Sequence, residues 1–312
     1  MHSSTDNHID AVILWVDGND PKHQEKMLPY LKDKSTFKNS KFKARYSQVD
    51  EIKFTVNSLL KFAPYLRTIF IVTDNQTPKF LKESKDLDIY KNVIIIDHKV
   101  IFRGSEEVLP TFCSRSIETC IHKIPNLAEK FIYLNDDFFL INKTEPSDFF
   151  KNGLPVLRGK WLKFDEDIFY KKFKKARKGH KFAQQRSAKL VGHSKYYNFR
   201  HTPHPLRKST LESFFDKNTA LFLGNIRYRF RNNNQFLTQG LANHIEIKNK
   251  TCHLENDLCL MYFRSFKKPL FWYQLKFKIL APKKLFLGLQ SLDSSPKKTL
   301  NFLLNWLQKK VS

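Results

Sequence analysis

Four cysteines in 312 residues, Cys113, Cys120, Cys252 and Cys259, form no CxxC pair and no dense framework, which predicts free thiols in a reducing cytoplasm. Only nine glycines are present, and no GxGxxG or P-loop string occurs, so any nucleotide site here relies on strand-end carboxylates and a metal, not a glycine cradle. Acid is scarce as well: 30 Asp and Glu stand against 55 Lys and Arg, a formal charge of +25. That excess predicts an anionic partner, whether phosphorylated substrate, anionic lipid or nucleic acid, and charge alone does not choose among them. No apolar run reaches the ~18 residues of a membrane span. The opening MHSSTDNHID has no apolar signal core, so the expectation is a soluble or peripheral protein.

What the chain does contain is a 41% hydrophobic complement, enough for one large globular domain or two small ones. Four short runs rich in β-branched or aromatic residues read as buried strands: AVILWV (11–16), TIFIVT (68–73), VIII (93–96) and FIYLN (131–135). Helical patterns separate them. After Asp50 as a cap, Ile52, Val56, Leu59 and Leu60 follow one helix face until Pro64 closes it. A second helix is expected over Ser114 to Lys123, with Ile117 and Ile121 on one side. Strands alternating with helices predict an α/β domain with a mostly parallel sheet.

Every one of these strands runs into acid: Asp17, Asp74, Asp97, and finally the adjacent pair Asp136 and Asp137 in KFIYLNDDFFL. Ligands of open α/β sheets bind beyond the carboxyl ends of the strands, so these carboxylates can converge on one crevice; alternatively, Asp is simply common in the turns that end strands. The pair is the sharpest signal. Two like charges about 4 Å apart repel by roughly 4 kcal/mol at an effective dielectric near 20. Set between apolar flanks, they call for a counter-charge, and a hard divalent ion fits best. The bland alternative is a loop in which one Asp caps a helix and the other meets water.

From Lys160 to about Lys195 the composition turns basic and aromatic, with KKFKKARKGHK at 171–181, which reads either as an inserted, mobile, phosphate-attracting arm or as a solvated charge run. Residues 209–247 return to helical character. The stretch 262–285 interleaves aromatic with basic residues, a pattern that suits an anionic membrane surface or, equally, aromatics in the core under exposed lysines.

The strings IDAVILWVDGNDP (9–21), ARYSQVDEIKFTVNSLLKFAPYLRTIFIVTDNQTP (44–78) and LPTFCSRSIETCIHKIPNLAEKFIYLNDDFFL (109–140) resemble the first two conserved blocks of the Stealth family. RHTPHPLRKS through IRYRFRNN (200–233) resembles its third block and KLFLGLQSLDSSPKKTLNFLLNWL (284–307) its fourth. Stealth members include bacterial capsule and lipopolysaccharide hexose-1-phosphate transferases and the animal N-acetylglucosamine-1-phosphotransferase catalytic subunit. Two departures stand out. Gln290, Ser291, Leu292 and Asp293 occupy the place of an Asn-Asp pair, and Cys113 precedes Ser114 and Arg115 where Asn-Ser-Arg is common.

The resemblance implies a GT-A-like α/β core with a mostly parallel sheet and helical C-terminal additions: residues 8–150 as nucleotide-sugar core, 151–199 as basic insertion and 200–312 as a mainly helical part. It implies transfer of a sugar-1-phosphate from a UDP-sugar donor to a hydroxyl of a cell-surface glycan acceptor, with release of UMP. A Mg2+ or Mn2+ ion is expected on Asp136 and Asp137. Asp17, His204, Arg115 and Arg231 are the expected catalytic residues, His204 serving as acid or base. Trp15, Asp17, Gly18, Arg45, Asp74, Asp97, Arg229, Gln290 and Asp293 are the expected donor-site residues. Arg45, Asp50 and Glu51 can equally form a structural ion network, and His98 either shapes the donor pocket or caps a turn. The location implied is the bacterial cytoplasm, with peripheral contact to an anionic inner membrane. Competing readings are a metal-dependent glycosyltransferase that releases UDP, and a nucleic-acid-binding protein. Against the latter, strand-end acids repel a phosphate backbone and no binding module is visible.

Overall fold

The structure, a computed structural model, describes residues 7–31, 49–83, 88–172, 179–200 and 202–312. The four expected strands form, as Ile9–Leu14, Leu66–Thr73, Val93–Asp97 and Lys130–Asn135. They lie in a five-stranded sheet ordered His204–Arg207, Lys130–Asn135, Ile9–Leu14, Leu66–Thr73, Val93–Asp97. Leu66–Thr73 and Val93–Asp97 pair in parallel, with Thr73 opposite Asp97, whereas the edge strand His204–Arg207 is antiparallel and sets His204 opposite Tyr133. Ile69, Phe70, Ile71 and Val72 are all buried, the near-continuous apolar run expected of a parallel strand covered on both faces. The first strand stops before Trp15, which keeps one ladder bond, its N–H donating to the Val72 carbonyl at 3.0 Å.

The chain divides into two compact units, the first made of the described residues of Met1–Val12, His98–Tyr133 and Pro146–Leu258, the second of Ile13–Asp97, Leu134–Glu145 and Cys259–Ser312. In the second unit the helix Glu51–Phe62 buries Ile52, Val56 and Leu59 and ends two residues before Pro64, as the pattern requires. Asp50 occupies the N-cap position but makes no side-chain cap bond; its backbone is left-handed (φ 59°), and the Glu51 carboxylate instead accepts from the Val49 N–H at 2.6 Å. Phe138–Leu140 runs antiparallel to Phe286–Leu289, which pairs in parallel with Leu260–Phe263. Gly288 is required at this crossing, because a Cβ there would lie 2.7 Å from both the Phe138 and Tyr262 rings. Leu303, Leu307 and Val311, spaced by four along the helix Lys297–Val311, close this core with Phe277 and Met261.

In the first unit the expected helix from Ser114 is α-helical to Cys120 and continues as a 3-10 turn over Ile121–Lys123. The basic segment departs from the expectation of a mobile arm where it is described. His180–Leu190 is a helix that buries Ala183, Gln184, Ser187 and Ala188, because small residues on one face let it approach the helix Thr238–Asn249 closely. Ser187 Oγ donates to the Leu237 carbonyl at 2.8 Å and accepts its N–H at 3.1 Å. Residues 173–178, the middle of the 171–181 run, lie outside the described residues.

His122 is buried against the rings of Phe215 and Phe222, and burial lowers its pKa from 6.5 to about 4. Below pH 6.5 the unfolded chain therefore binds the proton first, and this group's stabilising share is lost as pH falls toward 4. At ~1.4 kcal/mol per pKa unit, the advantage of wild type over His122→Gln should shrink by about 3 kcal/mol between pH 7 and 4 in urea titrations. A difference that stays constant with pH would contradict the neutral, buried assignment.

Candidate active site

In the second unit the Asp136-Asp137 loop is held by a polar stripe on an otherwise apolar helix face. Thr55 Oγ1 donates to the Asp136 carbonyl at 2.5 Å, Ser58 Oγ accepts the Leu140 N–H at 3.0 Å, and the Asp137 carbonyl accepts the Leu289 N–H at 3.1 Å. The backbone groups are satisfied, but the side chains are not. Asp137 Oδ1 is closed off from solvent and has no hydrogen-bond partner. Burial pushes the Asp137 carboxyl up to about 6. Burial first, then the charges of Asp137 and Glu51, holds Asp136 well above the usual carboxylate range.

Glu51, at the start of the same stripe, is raised to about 7 by burial, with the Asp137 and Asp293 charges adding to the shift. Tyr262 stacks on Phe138, donates to Gln290 Oε1 at 2.7 Å and is raised to about 12 by burial and by the Asp137 charge. Four carboxylates and a phenol thus act on one another electrostatically, and Gln290 and Asp293 belong to the same group as the acid pair. Among the described residues no set of three or more His, Cys, Asp or Glu side chains is arranged as a metal cage. Two carboxylates, one with an orphaned oxygen, fit an ion such as Mg2+ that takes its remaining ligands from phosphate and water.

The other strand-end acids have their own partners. Asp17 Oδ1 accepts the Asn19 N–H at 2.9 Å, closing a turn through Gly18, and Gln76 clasps the loop from the second strand's exit: its Oε1 accepts the Asp17 N–H at 2.9 Å while its Nε2 donates to the Asp17 carbonyl at 3.0 Å and to Asp20 Oδ2 at 2.9 Å. Trp15, just upstream, is buried. Asp74 takes Lys26 Nζ on both oxygens at 2.8 Å, and Asp97 Oδ2 accepts the Asn75 N–H at 2.7 Å. Arg45 lies outside the described residues.

In the first unit the segment around residues 228–232 is stitched to the approach of the helix Ser114–Cys120. Phe112 N–H donates to the Arg229 carbonyl at 2.8 Å, Ser116 Oγ to the Tyr228 carbonyl at 2.8 Å, and Phe112 stacks on Phe230. Arg229 Nη2 reaches the carbonyls of Glu107 and Leu109, each at 3.3 Å. Arg231 Nη2 donates to Ser114 Oγ at 2.9 Å, and Arg115 Nη1 to the Asn232 carbonyl at 3.0 Å. Cys113 is fully buried, its thiol donating to Gln235 Oε1 at 3.2 Å. His204, also buried, stacks on Tyr133, whose hydroxyl donates to Glu118 Oε1 at 2.9 Å. Burial raises the Glu118 carboxyl, and the charges of Arg231 and Arg115 oppose that shift.

Glu118, Tyr133, Tyr262 and Gln76, which the sequence pattern did not single out, pack or bond against the acid pair, the arginines, the histidine and the Asp17 loop, and Glu51 lies in the field of the acid pair. The readable signal was the stripe Glu51, Thr55, Ser58 on a helix face otherwise apolar, where three polar side chains have no reason to be buried unless they serve a neighbour.

Comparison with known proteins places these residues in a family. The model of Stealth protein CR1, conserved region 1, matches residues 7–35, and that of Stealth protein CR2, conserved region 2, matches residues 45–158. The chain is 32% identical over 253 residues to the capsular polysaccharide phosphotransferase WcwK of Streptococcus pneumoniae, covering 72% of this chain and 74% of that one. It is 35% identical over 237 residues to the capsular polysaccharide phosphotransferase cps1A of Actinobacillus pleuropneumoniae, covering 73% of this chain and 62% of the relative's length. Among solved structures, the galactosyltransferase LgtC in complex with donor and acceptor sugar analogues is similar over 97% of this chain and 95% of its own, at 9% identity and a TM-score of 0.47. The two conserved regions, matched in order, and relatives aligned over most of their length make this chain a member of the Stealth protein family.

Proposed function

We propose that this chain transfers a sugar-1-phosphate, in the leading form a hexosamine-1-phosphate, from a UDP-sugar to a hydroxyl of a cell-surface glycan, releasing UMP, in capsule or lipopolysaccharide assembly. The observation that carries the reading is the buried acid pair, with Asp137 Oδ1 left without a partner in a chain whose relatives are capsular polysaccharide phosphotransferases. Asp136 and Asp137 would hold Mg2+ or Mn2+, which when bound neutralises phosphate charge. Asp17 and the loop clasped by Gln76 line the donor site. Arg115 and Arg231 offer planar, multiply donating guanidinium groups to phosphate oxygens, which a lysine does not match geometrically. His204 takes the acceptor proton as the acceptor oxygen attacks the β-phosphorus; the bond from that phosphorus to the bridging oxygen breaks, and UMP leaves. The likeness to a GT-A core is part of this reading, as are the cytoplasmic location and the glycan acceptor.

The test is which bond breaks. A UDP-sugar labelled at the β-phosphorus is expected to deliver its label into the glycan as a phosphodiester, retain the donor's anomeric configuration and release unlabelled UMP. Label recovered in UDP, with a phosphorus-free glycosidic product, would convert the protein into a metal-dependent glycosyltransferase.

A further inference from the structure

The helix Leu270–Leu280, LFWYQLKFKIL, is apolar on both sides. Its inner side is accounted for: Tyr273 and Phe277 are buried, and Phe277 meets the rings of Phe263, Phe302 and Trp306. Its outer side is not. Phe271, Leu275 and Ile279 follow one another at intervals of four, so they stand in a single row along the helix, and they are 67%, 52% and 51% exposed. Single exposed apolar side chains are ordinary on any protein surface, but an aligned row of three large ones on one helix marks a surface that another apolar phase covers.

Charge identifies that phase. Between Asp257 and Asp293 the sequence contains no acidic residue, while Arg264, Lys267, Lys268, Lys276, Lys278, Lys283 and Lys284 supply seven positive charges. Lys267, Lys268, Lys278 and Lys283 are exposed at the two ends and along the side of the apolar row. Lys276 folds back so that its Nζ lies 4.7 Å from the centre of the Trp272 ring, with its stem along the helix. A second copy of this chain, carrying the same charges, would meet the face with like-charge repulsion. A protein interface would also bring acid to so basic a rim, whereas a bilayer supplies acyl chains and a continuous sheet of negative headgroups together. Among the described residues no helix is long and apolar enough to cross a membrane, which matches a helix lying in the interface plane.

We propose that the outer face of Leu270–Leu280 is a docking surface for an anionic lipid bilayer, with Phe271, Leu275 and Ile279 entering the headgroup and acyl boundary and the flanking lysines resting on anionic headgroups. The inference is independent of which bond the enzyme breaks. It reads a face of the second unit that none of the proposed catalytic groups uses. The ligand is the phosphate-bearing lipid headgroup layer, not free phosphate, because only a layer offers apolar depth beside charge.

The experiment is co-sedimentation of the full chain with vesicles of phosphatidylcholine alone or with 30% phosphatidylglycerol, at low and high salt. Wild type is expected to sediment with the anionic vesicles and to remain in solution with the neutral ones. The triple variant Phe271→Ser, Leu275→Ser, Ile279→Ser removes only exposed side chains and should weaken the partition by about a hundredfold. Lys267→Glu with Lys268→Glu and Lys278→Glu should weaken it most at low salt, where screening is least. Phe271→Trp, read as the difference from the wild type with its four native tryptophans, supplies a reporter: the added emission should move to the blue on anionic vesicles and be quenched by brominated lipid. Unchanged partition of the triple serine variant would overturn the proposal, assigning any vesicle binding to the general charge of the chain. Quenching of the Phe271→Trp variant no greater than that of wild type would overturn it too, as would a concentration-dependent dimer that the serine variant dissolves, since the row would then face a second copy. Turnover with soluble donor and acceptor should be the same in all variants, so loss of vesicle binding and loss of the proposed chemistry are separate outcomes.

Discussion

Asp137→Asn is expected to cut turnover by about a thousandfold or more while raising the melting temperature of the metal-free protein. The two effects share one cause. Asp137 carries an orphaned, solvent-excluded oxygen, burial taxes its charged form, and that charge in turn raises Asp136 and Glu51. An amide of the same shape removes that buried charge, worth about 1–3 kcal/mol after relaxation, or about 2–6 °C in a chain of this size. The same change takes a formal charge from the ion's shell, where positioning and charge neutralisation supply nearly all of the catalysis of phosphoryl transfer. The pH dependence has a definite sign. Because the Asp137 carboxyl titrates near 6 in the native state and near 3.8 unfolded, the native state holds more protons between these values, and stability falls as pH rises through the window. Added Mg2+ should restore wild-type stability above pH 6 by about 2.7 kcal/mol at a hundred times its dissociation constant, and should do little for Asp137→Asn. Full activity of the variant in chelator, or a fall in its melting temperature, would remove the ion from the Asp136-Asp137 loop.

The parts of this architecture legible in the sequence are those that local pattern dictates. Buried parallel strands must be short apolar runs, so Leu66–Thr73 and Lys130–Asn135 could be read within two residues of their ends, and the helix from Glu51 followed from the recurrence of Ile52, Val56 and Leu59. The acid at each strand exit was legible for the same reason. What was not legible depends on partners far along the chain. That Lys26 stands on both oxygens of Asp74, and that the Gln76 amide clasps Asp17, cannot be read from the residues around either position. His180–Leu190 read as part of a charged arm because its lysines dominate its composition, whereas the face that decides its fate is made of Ala183, Ser187 and Ala188, small side chains that carry little hydropathy signal. Glu118 escaped because a single carboxylate in a helix looks like any solvated one; only the Tyr133 hydroxyl and the nearby Arg231 and Arg115 charges mark it.

Arg229 and Arg231 should separate sharply when each is replaced by alanine, although they stand only two residues apart. Arg229 Nη2 donates to the carbonyls of Glu107 and Leu109, and its own carbonyl accepts the Phe112 N–H, so its guanidinium works as a staple between two stretches of backbone. Removing a charged donor from such carbonyls costs about 1–3 kcal/mol. Arg229→Ala should therefore lower the melting temperature by several degrees and reduce kcat and expression together. Arg231 makes its hydrogen bond to the Ser114 hydroxyl, an exchangeable partner at the start of a helix, and its charge acts on the buried Glu118 carboxyl. Arg231→Ala should leave the melting temperature within about 2 °C of wild type and lower kcat by about a thousandfold, the scale on which an arginine stabilises a phosphoryl transition state. Arg231→Lys should recover only a small part of that loss, since a lysine keeps the charge but not the planar fork. Thermal melts and saturation kinetics on the three variants decide the matter. If Arg229→Ala proves as stable as wild type, Arg229 is no staple; if Arg231→Lys restores full kcat, the planar guanidinium of Arg231 has no role in stabilising the transferred phosphoryl group.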